Sequence, residues 1–88
     1  MTATGYRGTS YTAFVQQMVD LGWPHRVYLH VNDYVILMRR FVSPMTSRSV
    51  VEDGVTGIET LGIKFYPRLG DQPRPEQVDW SDAPHWEA

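Results

Sequence analysis

The sequence predicts a small α+β domain, with one N-terminal helix packed on a three- to four-stranded antiparallel meander and an extended C-terminal tail. Three observations predict it. "SYTAFVQQMVDLG" (10–22) repeats its apolar residues at helical spacing. "RVYLHV" and "YVILMRRFV" are rich in β-branched and aromatic residues and flank the turn-forming pair "ND". From Leu69 onward the chain is polar, proline-rich and aperiodic.

The helix comes first. Tyr11, Phe14, Val15, Met18 and Val19 recur at i, i+3, i+4, i+7 and i+8, while Thr12, Gln16, Gln17 and Asp20 take the opposite face. Ser10 or Thr12 can cap its start. Gly22 suits the left-handed residue after a helix, and Pro24 blocks continuation.

Residues 26–42 then read as a β-hairpin turning at Asn32-Asp33. In that register Arg26 opposes Arg39. Val27, Leu29, Val31, Tyr34, Ile36 and Met38 make an apolar face for the helix to cover. Arg26, Tyr28, His30, Val35, Leu37, Arg39 and Phe41 make a mixed second face. The competing reading makes 33–42 a short helix capped by Asn32. "SPMTSRS" is a loop, and Asp53-Gly54 marks a second hairpin. Gly57 and Gly62 suggest bulges or close backbone approach, and the last strand runs through Ile63 and Phe65 to Pro67. The organisation is a flexible N-terminus (1–9), one α+β domain (10–68) and an acidic, tryptophan-containing tail (69–88).

Composition narrows the function classes. Among 88 residues there is no cysteine, which removes disulfides, thiolate nucleophiles and cysteine-bound zinc and fits a cytoplasmic protein. "MTATGYRGTSY" has no apolar leader, and "YVILM" is too short to span a bilayer, so no membrane role is expected. The net charge of −2 is uneven: residues 71–88 sum to −4 and residues 1–70 to +2. Seven of the eight basic residues are arginine, the residue suited to bidentate, partly desolvated contacts.

No catalytic motif emerges. His25, His30 and His85 have no metal-ligand spacing, the serines lie in no nucleophile elbow, and the glycines form no phosphate loop. No cofactor, metal site or catalytic residue is expected.

The residues nominated for binding are Arg26, Tyr28, His30, Arg39 and Phe41 on the mixed face, with Trp80 and Trp86 in the tail. Facing arginines repel; they can splay into water, pair with the chain's own acids such as Glu52, Glu59 or the tail, or receive an anionic partner, and carboxylates from the tail or a partner are the expected outcome. Tryptophans among acids are docking anchors or a cover folded back on the domain. The expected function is a non-enzymatic protein-interaction module, an accessory subunit or inhibitor. Nucleic-acid binding through the Arg/aromatic face is the alternative, and a small enzyme using His30 with a carboxylate is the third reading. A protein partner of unknown identity is expected, and a homodimer burying the mixed face as well.

Overall fold

The α+β class holds, with a sheet larger and more mixed than a meander. The structure, a computed structural model, describes residues 11–68, 78–82 and 86; the N-terminus at 1–9 and most of the expected tail lie outside the described residues. Helix α1 (Tyr11–Asp20) leads to strand β1 (Arg26–Leu29), then helix α2 (Val31–Ile36), which runs into a π-helical turn (Leu37–Phe41). Strands β2 (Ser47–Glu52), β3 (Val55–Thr60), β4 (Ile63–Pro67) and the two-residue β5 (Val78–Asp79) follow. The strand order is β2-β3-β4-β1-β5. β2, β3 and β4 are the expected antiparallel meander, whereas β1 runs parallel to both β4 and β5.

Helix α1 ends as its sequence dictates. Gly22 has φ 82°, its N–H donates to Val19 O, and the Trp23 N–H donates to Met18 O. This is the paired closure that glycine at that position permits. Phe14 and Met18 are buried as expected, but Val19 is 54% exposed and Gln17, assigned to the polar face, is buried. The helix is rotated because Trp86 lies against that side and its indole N–H donates to Gln17 Oε1.

The hairpin over 26–42 does not form. Residues 31–41 are helical, and His30 rather than Asn32 caps them, its Nδ1 accepting the Asn32 N–H at 3.0 Å. Val31 and Met38, expected in the core, are therefore exposed. Asp33, Leu37 and Phe41 recur at i, i+4 and i+8 and are buried. That helical period, together with packing on β1 and β4, outweighs the strand preference of the β-branched residues. β1 takes β4 as its partner, pairing Arg26 with Lys64 and Tyr28 with Tyr66.

The helices cover one face of the sheet. Val27 and Leu29 of β1, Ile58 of β3, and Ile63 and Phe65 of β4 pack there against Phe14, Met18, Leu37 and Phe41. The other face carries no helix among the described residues. At its centre the Tyr66 ring lies over Gly57, where a side-chain carbon would come within 2.5 Å of Tyr66 Cδ1 and would strike the Phe65 carbonyl. Glycine at 57 answers to close approach, as its place inside a strand implied.

Candidate functional site

Of the seven nominated residues, Arg26 and Tyr28 stay together on the helix-free face, because β1 alternates as the sequence indicated. Arg39 and Phe41 ride the helical segment on the other side of the sheet, so Arg26 and Arg39 do not face each other. Phe41 is buried, stacked on Phe14 at 4.8 Å between centroids with 1° between the rings. His30 caps α2.

The tryptophans fold back. Trp86 is buried, edge-on to both Phe14 and Phe41 at 5.7 and 5.6 Å. Its backbone N–H donates to Asp33 Oδ1 at 3.0 Å. Trp80 meets Trp86 edge-on at 6.0 Å, and its backbone N–H donates to the Tyr28 carbonyl at 2.8 Å. Both indoles thus extend the core of their own chain.

On the helix-free face three arginines each meet a carboxylate. Arg26 reaches from β1 to Glu52 on β2, passing over the strip that Gly57 keeps low. Glu52 also accepts the Tyr66 hydroxyl at 3.2 Å. Arg48 Nε donates to Glu59 at 2.6 Å, and Arg68 Nε to Asp79 at 3.1 Å. The last pair is largely desolvated, its side chains 14% and 6% exposed. Arg26 therefore meets a carboxylate, as expected, but one from β2; the tail's Asp79 goes to Arg68. Burial, then the hydrogen bond and charge of Glu52, push the Tyr66 hydroxyl pKa up to about 12. Tyr28 stacks on Tyr66 at 5.5 Å and 24°.

The helical segment leaves a row of side chains open. Val31, Val35 and Met38 are 40%, 41% and 40% exposed at i, i+4 and i+7, and Arg39 follows at i+8. Arg39 and Arg40 are exposed in the π-helical turn and have no carboxylate partner among the described residues. A π turn inside a helix is uncommon and recurs at functional positions. Sequence reasoning missed this stripe because it assigned the segment to strands; read as a helix, the same spacing displays it.

Among the described residues, no three histidine or carboxylate groups come together to hold a metal ion. None of their helices is long and apolar enough to cross a membrane. An open groove of about 410 Å³ beside β2, lined by Met45, Thr46, Arg48, Glu59 and Leu61 among others, presents one ion pair already formed. The chain matches no known protein family, no curated protein and no solved structure.

Proposed function

We propose that this chain is a small non-enzymatic protein-interaction module, of the accessory-subunit or inhibitor kind, that binds an acidic, partly apolar segment of a protein partner along residues 31–40. The observation that carries the reading is the exposed Val31–Val35–Met38 stripe continued by Arg39 and Arg40. Apolar side chains in a row gain by leaving water, and an amphipathic segment with anchors at matching spacing covers them. Guanidinium groups without a carboxylate among the described residues supply the polar end, since arginine binds carboxylates in a bidentate fork. In this reading Trp80 and Trp86 serve the fold that holds the stripe in place.

The test is a titration of the full chain with acidic amphipathic peptides, followed by amide NMR shifts. Shifts centred on 31–40, lost in Val35→Glu and in Arg39→Glu, are the expected result. Shifts confined to the helix-free sheet face would overturn the proposal.

Nucleic-acid binding is the second reading, favoured by Tyr28 lying on Tyr66 beside Lys64. It ranks lower because Arg26, Arg48 and Arg68 on that face each hold a carboxylate already. Those acids offset the positive charge a polyanion would meet, and electrostatic attraction to it falls accordingly. Salt-dependent binding of a single-stranded oligonucleotide that Tyr28→Ala abolishes would reverse the ranking.

A further inference from the structure

We propose that β2 pairs antiparallel with β2 of a second copy of this chain, about a two-fold axis through Val50, so that two five-stranded sheets join into one. β2 is the terminal strand of the sheet, six residues long, and pairs with β3 in unbroken register from Ser47 to Glu52. Among the described residues no strand pairs with its outer edge, and β2 itself carries no proline, no lysine and no bulge.

The turn fixes which backbone groups face outward. Asp53 and Gly54 have φ 53° and 79°, the two-residue geometry in which the flanking Glu52 and Val55 form a hydrogen-bonded pair. Such pairs alternate along an antiparallel ladder, so Val50 and Arg48 also bond to β3. Ser49 and Val51 then direct their N–H and C=O groups away from the sheet. Val51 is 67% exposed on that edge.

The side chains select the occupant and the register. Arg48 and Glu52 lie two residues to either side of Val50, all three on the helix-free face. Self-pairing centred on Val50 sets Arg48 opposite Glu52 of the copy, twice over, with Val50 against Val50 and Ser49 opposite Val51. Opposite charges in directly facing positions stabilise a sheet. Centring on Ser49 instead would face Arg48 with Val50 and give no charge pair between the two copies. A two-fold axis permits no register between these, because it must keep each face of the sheet on its own side. Arg48 bonds Glu59 through Nε, and its side chain is 74% exposed, which leaves the rest of the fork for a second carboxylate. The homodimer expected from sequence rested on a face containing Leu37 and Phe41; both are buried in their own chain, which shifts the case from the face to the edge.

This inference does not depend on the binding stripe. The full chain contains no cysteine, so any disulfide in Val50→Cys is intermolecular. Facing residues of a non-hydrogen-bonded pair sit about 4.5 Å apart at Cα, within reach of a disulfide. Under mild oxidation Val50→Cys should crosslink to a covalent dimer at least tenfold faster than Ser49→Cys or the highly exposed Met45→Cys. Sedimentation equilibrium of the unmodified chain should show a concentration-dependent dimer. Val51→Pro removes only an outward N–H, so it should give a folded monomer by circular dichroism and leave any peptide shifts at 31–40 unchanged. A unmodified chain monomeric at all concentrations, equal crosslinking at positions 45 and 50, or faster crosslinking at 49 than at 50 would each overturn the proposal.

Discussion

Replacing Trp86 by alanine asks whether the C-terminal segment is a structural part of the domain. The indole is buried between the ring edges of Phe14, Phe41 and Trp80, and its N–H donates to buried Gln17. Emptying a packed aromatic site costs about 3–5 kcal/mol. A chain of 88 residues has a total stability of roughly 4–13 kcal/mol at ~0.05–0.15 kcal/mol per residue, so the loss is a large share of the whole. Trp86→Phe keeps most of the ring packing and removes the donor to Gln17, at a cost of about 1–3 kcal/mol. Urea unfolding followed by circular dichroism reads both. With a slope on the order of 1 kcal/mol/M for so small a domain, Trp86→Ala should move the midpoint by about 3 M or leave the chain unfolded without denaturant. Trp86→Phe should fall between it and the parent. If Trp86→Ala shifts the midpoint by less than about 0.5 M, Trp86 is not docked in solution and the account of the core fails.

Asp79→Ala should destabilise by about 3–5 kcal/mol, because it leaves the desolvated Arg68 guanidinium without its paired charge; the same urea series measures it. Gly57→Ala should cost at least about 1–3 kcal/mol, because its methyl group would strike the Phe65 carbonyl as well as the Tyr66 ring, so trimming the ring in Gly57→Ala/Tyr66→Leu should not restore the parent stability. Above pH 10 the chain should lose stability through Tyr66. Its folded pKa of about 12 lies above the ordinary value of 10, so its contribution is complete below pH 10 and disappears between pH 10 and 12. Tyr66→Phe should flatten that decline, and a decline of unchanged steepness would assign it to other groups.

The legible parts of the sequence were those whose signal is local. Helix α1 and its glycine closure, the Asp53-Gly54 turn and the alternation of Ile63 and Phe65 follow from spacing and φ preference within a few residues. Residues 31–41 were not legible in the same way. Their β-branched and aromatic residues favour a strand, and what decides for a helix is contact with Phe14 and β4, remote in sequence, as well as with β1. The same remoteness hid the role of Gln17, whose partner is 69 residues away. Of the candidate site, the alternation of β1 placed Arg26 and Tyr28 correctly on one face. The error at 31–41 placed Arg39 and Phe41 on the wrong layer and concealed the apolar stripe.

The position of β1 has a consequence for how the molecule is made. Both its ladder partners lie later in the chain: Arg26 pairs with Lys64, and Val27 with Val78. β2, β3 and β4 can close one after another through two-residue turns, but β1 cannot enter the sheet until β4 exists. During synthesis the first half of the chain must therefore emerge with Val27, Leu29, Leu37 and Phe41 uncovered, waiting for strands not yet translated. Long-range parallel pairing is slow to form. The meander is the template, and the N-terminal half is recruited to it, so a ribosome-bound chain truncated before residue 63 should be sensitive to protease where the full chain is resistant.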